Sequence, residues 1–158
     1  MGDKYVILID YNSCTGCRTC ELVCSLSRVG ECNPERSRIR IIKSEENGIA
    51  KNIPILCLNC DDPVCEKACP TGATQHGNPI NIMIVDEQLC IGCSSCVYAC
   101  PSGASFLDHE KDKAIRCDQC YGEPQCVKFC SKGCIEYVRQ DKISAKLKRI
   151  KTTSLSFR

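Results

Sequence analysis

The sequence predicts an α+β chain of short strands, short helices and long loops, organised as two similar halves and stapled by metal rather than by a large apolar core. Three observations carry that expectation. Eighteen of the 158 residues are cysteine, far more than an ordinary globular chain uses. Sixteen of them fall into four similarly built groups, which is an internal repeat. Aromatic residues make up only 5% and tryptophan is absent, so apolar side chains can furnish only a thin core.

The elements follow in order. Tyr5 to Asp10 is a β-branched run that predicts a strand. It leads into group one, Cys14-x2-Cys17-x2-Cys20-x3-Cys24. Arg38 to Ile42 and Ile49 to Ile55 predict a hairpin closed by Asn47-Gly48, a favoured turn pair. Group two is Cys57-x2-Cys60-x4-Cys65-x3-Cys69, followed by Pro70. Ile82 to Val85 predicts a strand paired back to Ala73–His76 across Gly77-Asn78-Pro79. Group three is Cys90-x2-Cys93-x2-Cys96-x3-Cys100, followed by Pro101, and group four is Cys117-x2-Cys120-x5-Cys126-x3-Cys130. An x3 spacing puts two cysteines on one face of a helical turn. Cys69-Pro70-Thr71-Gly72-Ala73-Thr74 is matched by Cys100-Pro101-Ser102-Gly103-Ala104-Ser105. The duplicated unit is a ligand loop, a short helix stopped by proline, a glycine turn and a strand. From Lys142 to Lys151 there is only a weak helical period.

Many cysteines in a short chain often mean disulfides, but those need an exported chain. Met1-Gly2-Asp3-Lys4-Tyr5 carries no export signal, Val6 stands where myristoylation needs serine or threonine, and Tyr5–Ile9 is too short to span a membrane. A cytoplasmic, reducing setting is expected, in which cysteine clusters mean metal or redox chemistry. Structural zinc uses two C-x2-C pairs held apart by a spacer. Here each group crowds a third cysteine close to the first two, although the wide middle spacing of group four leaves zinc open at that site alone. A 4Fe–4S cubane needs four thiolates in roughly tetrahedral directions, three of which one loop can supply. In the C-x2-C-x2-C-x3-C-P run the last cysteine ligates the other cluster, and group three matches that run letter for letter.

The four groups resemble those of the four-cluster ferredoxin-like subunits of complex oxidoreductases, which partner molybdenum and tungsten enzymes. The resemblance covers roughly residues 5–139. It implies two fused bacterial-ferredoxin-like units, one from residues 1–50 plus 110–139 and one from 51–109, with 140–158 as a basic tail. It also implies that group one pairs with group four and group two with group three. Cluster 1 would take Cys14, Cys17, Cys20 and Cys130; cluster 2 would take Cys117, Cys120, Cys126 and Cys24. Cluster 3 would take Cys90, Cys93, Cys96 and Cys69; cluster 4 would take Cys57, Cys60, Cys65 and Cys100. All sixteen positions are cysteine, so four complete cubanes are expected, wired in the order of groups one, four, three and two. Ser25 and Ser131 stand where the pattern has proline, which leaves those helix ends unspecified. Cys32 and Cys134 have no place in the scheme and are expected as small buried apolar residues. Tyr98 is expected to pack against a cluster, and His76 and His109 to lie at the surface.

No G-x-G-x-x-G or G-x-x-x-x-G-K-[ST] run is present, so nucleotide and flavin motifs are missing. None of the C-x3-C pairs continues as a radical-generating adenosylmethionine motif requires. The expected role is a non-catalytic electron carrier, with bond chemistry on a partner. The formal charge of +2 becomes about −6 with four oxidised cubanes on sixteen thiolates. Residues 140–158 hold six basic residues against Asp141 alone, so the tail is expected to dock on an acidic surface. The Asn33-Pro34-x-x-Ser37-Arg38-Ile39 run resembles a compact subgroup serving tungsten aldehyde oxidoreductases, tungsten benzoyl-CoA reductases and carbon monoxide dehydrogenases. A turn entering a strand is the plain reading of the same run. A tungsten aldehyde oxidoreductase is the expected partner, with a molybdenum enzyme, benzoyl-CoA reductase, carbon monoxide dehydrogenase or hydrogenase as alternatives. A flavoprotein subunit and further copies of the chain are further candidate partners; neither nucleic acid nor a direct membrane span is expected. A cysteine-rich zinc scaffold and a free soluble carrier are the competing classes.

Overall fold

A computed structural model describes residues 4–77 and 82–155. Strand β1 (Tyr5–Ile9) ends at Asp10, whose carboxylate accepts from the Asn12 N–H and starts a 3-10 turn over Tyr11–Ser13. Helix α1 (Thr19–Val29) follows, then the hairpin of β2 (Ile39–Glu46) and β3 (Ile49–Leu56). Next come α2 (Val64–Lys67), β4 (Thr74–Gly77), β5 (Ile82–Val85) and α3 (Ser95–Tyr98). The chain closes with β6 (Ser105–Asp108), β7 (Lys113–Arg116), α4 (Gln125–Lys128), β8 (Ile135–Arg139) and α5 (Ile143–Leu155). The strands form four two-stranded antiparallel sheets: β1–β8, β2–β3, β4–β5 and β6–β7. None of the described helices is long and apolar enough to cross a membrane.

The expected hairpin forms around Asn47 (φ 54°) and Gly48 (φ 76°), the two positive φ values that a tight hairpin turn requires. The β4–β5 pairing is also as expected, with Thr74 opposite Val85 and Gly77 opposite Ile82. The Gly77-Asn78-Pro79 connection expected between them falls largely outside the described residues. The cysteine-bearing helices differ in length. Helices α2 and α3, ahead of Pro70 and Pro101, and the helix over Gln125–Lys128, ahead of Ser131, are each a single turn. Helix α1 carries Ser25 after its last ligand cysteine and spans eleven residues, until Gly30 (φ 79°) closes it with an N–H bond to the Leu26 carbonyl. Ser25 is fully buried and ties that helix to the next loop: its hydroxyl donates to the Leu22 carbonyl and accepts from the Asn33 N–H.

Two small cores result. One gathers Ile7, Ile39, Ile41, Leu56 and Ile135 with Cys20, Cys24, Cys126 and Cys134. The other gathers Ala73, Ala114, Cys90 and Cys96, with Cys65, Cys69, Val85 and Val97 packed against it. Cysteines of groups one and four thus share one core and those of groups two and three the other. Helix α1 packs on α4, and α2 on α3. Two-stranded hairpins are marginal on their own, and six of the eighteen buried apolar side chains among the described residues are cysteines. What fills the space between the thiols therefore completes the core.

The Asn33–Ile39 run adopts the turn-into-strand reading. Asn33 caps a 3-10 turn over Pro34–Arg36, and Ser37 and Ile39 are buried. Arg36 reaches Asp108, Glu31 and Glu110, and the Arg38 and Arg28 guanidinium groups both pair with buried Asp118. Arg40 lies 4.7 Å over the Phe106 ring. These contacts join the loop after α1 to β6 and to group four.

Candidate metal centres

Each ligand loop is wound by residues in the left-handed region: Gly16 and Arg18 in group one, Asn59 in group two, Gly92 and Ser94 in group three, and Gln119, Cys120 and Tyr121 in group four. Such windings turn successive backbone N–H groups to one side, a concavity suited to negative charge. Only glycine fits at position 92, where a Cβ would lie 2.4 Å from the Asp112 carbonyl oxygen.

Two of the four expected ligand sets line pockets. Cys14, Cys17, Cys20 and Cys130 line one, with Cys134 also in its wall. Cys57, Cys60, Cys65 and Cys100 line the other, with Arg116 in its wall. Cys24 feels the charge of Cys120, Cys126 feels that of Cys24 and Cys120, and Cys117 feels that of Cys126 and Cys24. Cys90, Cys96 and Cys69 meet in the second core, and Cys93 feels the charge of Cys69. Among the described residues no three Cys, His, Asp or Glu side chains converge on one metal ion. An all-thiol donor set spread around a hollow suits iron–sulfur clusters.

The thiols divide into two electrostatic classes. Burial pushes Cys20 and Cys126 up to about 12, with the nearby Glu21 carboxylate adding to the effect at Cys20. Cys69 sits at about 7 although burial opposes its ionisation, because N–H groups of Thr74, Thr71 and Ala73 and the Thr71 hydroxyl support the thiolate. Hydrogen bonds from the Ser95 side chain and backbone lower Cys93. Backbone N–H groups also reach sulfur at Cys24 (from Arg38, 3.4 Å), Cys100 (from Ala104, 3.3 Å), Cys90 (from Ala114, 3.5 Å) and Cys117 (from Gln119, 3.4 Å). Donors of this kind hold thiolates as ligands and set cluster potentials.

Two expectations need correction. Cys32 is exposed rather than buried, because α1 ends at Gly30 and the chain swings outward, where Glu31 pairs with Arg36. Tyr98 does not pack against a cluster but is 88% exposed. A four-residue helix turns one face inward, and Cys96 occupies it. Cys134, by contrast, is buried as expected. Its place has a simple origin: Cys130-Ser131-Lys132-Gly133-Cys134-Ile135 repeats the turn of the other two units, with a Gly133 N–H to Cys130 carbonyl bond like those of Gly103 to Cys100 and Gly72 to Cys69. Cys134 stands where Ala73 and Ala104 stand, and its sulfur lies 3.4 Å from that of Cys130. His76 is partly buried against Glu66, and His109 is exposed. Sequence reasoning missed Arg116 and Asp118, charged residues buried at 3% and 4% exposure on either side of Cys117. No residue pattern around group four marks either as inward-facing.

Residues 56–105 and 82–131 each match a 4Fe-4S dicluster domain, and residues 11–27 match a 4Fe-4S binding domain. Over 155 residues the chain is 38% identical to a probable anaerobic dimethyl sulfoxide reductase chain of Escherichia coli, covering 87% of this chain and 74% of that protein. It is 41% identical over 128 residues to the polyferredoxin-like subunit of an aliphatic sulfonate oxidoreductase from Pyrococcus furiosus, covering 81% of this chain and 72% of the relative. A second Escherichia coli relative, a chain of anaerobic dimethyl sulfoxide reductase itself, is 35% identical over 92% of this chain and 78% of its own length. Among solved structures, the active site complex of benzoyl coenzyme A reductase with 1,5-dienoyl-CoA contains a chain of the same fold. That chain is 24% identical, with a TM-score of 0.52 over 89% of this chain and 78% of its own.

Proposed function

Because the chain belongs to the 4Fe–4S ferredoxin-like electron-transfer subunits of oxidoreductase complexes, we propose that it relays single electrons through four 4Fe–4S clusters to or from a catalytic subunit. The observation that carries this reading is the gathering of cysteines from groups one and four in one core and from groups two and three in the other, with two expected sets lining pockets. We assign Cys14, Cys17, Cys20 and Cys130 to one cluster and Cys117, Cys120, Cys126 and Cys24 to its neighbour. Cys90, Cys93, Cys96 and Cys69 hold the third, and Cys57, Cys60, Cys65 and Cys100 the fourth. When bound, the clusters accept and release one electron at a time. The chain's residues supply thiolates, donate hydrogen bonds to sulfur and exclude water.

The two cores support a division into fused ferredoxin-like units, residues 1–50 plus 110–139 and residues 51–109, with the basic tail at 140–158. Electrons would pass from the first set through the second and third to the fourth. Cys17 and Cys60, in the two outer sets, are exposed, as is Cys93 of the third set. No step of bond making is assigned to this chain.

The finer reading names a tungsten aldehyde oxidoreductase as the partner, on the strength of the compact Asn33–Ile39 resemblance. A second reading, a molybdenum enzyme of the dimethyl sulfoxide reductase kind, is favoured by the relatives' names. Helix α5, whose Lys146 pairs with Glu136, would dock the basic tail on an acidic face of that partner. Isolating the tagged chain anaerobically from its native cells, with and without residues 143–158, tests both points. A large subunit carrying tungsten supports the first reading and one carrying molybdenum the second. A tail-less chain that retains its partner at unchanged yield removes the docking role.

A further inference from the structure

Arg116 is 3% exposed, and among the described residues no carboxylate pairs with it. A buried guanidinium without a counter-charge is costly. Its neighbours are sulfur and a hydroxyl: one terminal nitrogen donates to Cys65 Sγ at 3.0 Å and the other to Ser105 Oγ at 3.1 Å, while Nε is buried without a partner. Ser105 in turn directs its hydroxyl at Cys96 Sγ, 3.7 Å away. Arg116 and Ser105 are cross-strand partners in β6–β7, so both side chains leave one face of the hairpin. The fold does not demand arginine here. Thr74 and Ile135 occupy the place of Ser105 in the other two copies of the turn, and their partners are Val85 and Ile9.

We propose that Arg116 and Ser105 form a hydrogen-bonded bridge between ligand sulfurs of two neighbouring clusters, and that the Arg116 charge raises the potential of the cluster held by Cys65. The inference rests on the ligand assignment above. Adding an electron makes a cluster more negative, so a fixed cation at hydrogen-bond distance from a ligand sulfur favours the reduced form. The hydroxyl does the same, more weakly, for the cluster held by Cys96. Two clusters of the four are thereby biased to accept electrons, and the Cys57–Cys60–Cys65–Cys100 end becomes the favoured resting place. Arg116 is a positioning and tuning residue: it carries charge throughout and titrates nowhere in the working range.

The test is a potentiometric titration of the anaerobic, cluster-loaded full chain, followed by electron paramagnetic resonance, on wild type, Arg116→Met, Arg116→Lys and Ser105→Ala. Iron is counted first, since a wild type short of sixteen irons defeats the ligand assignment rather than the bridge. With sixteen irons retained, Arg116→Met should lower one midpoint by about tenfold in the reduction equilibrium, ~59 mV for a one-electron couple. Arg116→Lys should restore most of that shift. Ser105→Ala should lower a different midpoint by less. Four unmoved midpoints in Arg116→Met, or four that move together, would overturn the proposal. If Arg116→Met loses iron, the other two variants decide: wild-type midpoints in Ser105→Ala overturn the bridge, and a single lowered one supports it.

Discussion

Gly92 shows how tightly single positions are held in the ligand loops. Its φ of +71° and the 2.4 Å separation between an added Cβ and the Asp112 carbonyl oxygen combine left-handed strain with overlap against backbone. Gly92→Ala should therefore cost about 2–3 kcal/mol, with early loss of the cluster fed by Cys90 and Cys93. Gly48, with φ +76° and open space around it, provides the comparison: Gly48→Ala should cost only about 1 kcal/mol. Thermal unfolding of the two variants in the cluster-loaded state measures the difference, and equal costs would show that the Asp112 contact is unimportant. At this scale the cysteines were legible because metal ligation constrains spacing along the chain. Arg116 and Asp118 were not, because a charged residue beside a cysteine reads as surface until its burial is known. Tyr98 misled for the opposite reason: an aromatic residue within a ligand helix reads as core, yet a single turn has only one inward face.

Among the elements, α1 and α4 test what proline does after a ligand cysteine. Ser25 lies inside α1, buried, with its hydroxyl bridging Leu22 and Asn33. Ser25→Pro should therefore break the helix and cost about 3 kcal/mol or more, lowering the melting temperature and the iron content. Ser131 follows a helix that already stops at Lys128, in a turn closed like those after Pro70 and Pro101. Ser131→Pro should leave iron content and melting temperature near those of wild type. Comparable losses in both would mean that the turn after Cys130 differs from its two counterparts. The β2–β3 and β4–β5 hairpins could be read from apolar runs and turn residues. Strand β7 could not, because Lys113-Ala114-Ile115-Arg116 buries its last three residues, arginine included, and so lacks alternation. Strand β8 pairs with β1 from the far end of the chain, a partnership no local pattern announces. Helix α5 carried only a weak period because most of its length is polar.

For the molecule as a whole, the clusters and the fold are one problem. Two small cores, each with cysteine in its centre, leave too little apolar surface to hold four separate two-stranded sheets together. Chelating the iron anaerobically should abolish the cooperative thermal transition and most of the far-ultraviolet dichroism, as metal binding supplies the folding free energy in small metal-stapled domains. An iron-free chain that keeps a sharp transition would show that the apolar residues suffice alone. The four cysteine groups were legible as a repeat in the spacing and their pairing was implied only by the family resemblance, while the ties between distant segments were not legible at all. Arg36 with Asp108, Arg28 with Asp118 and Arg38 with Asp118 join residues 72, 90 and 80 positions apart. The most direct measurement is the iron and acid-labile sulfide content of anaerobically purified chain, read with its visible spectrum before and after dithionite. Four cubanes require sixteen of each per chain and a brown colour that bleaches on reduction; a colourless protein, or one holding far fewer irons after full reconstitution, would contradict them.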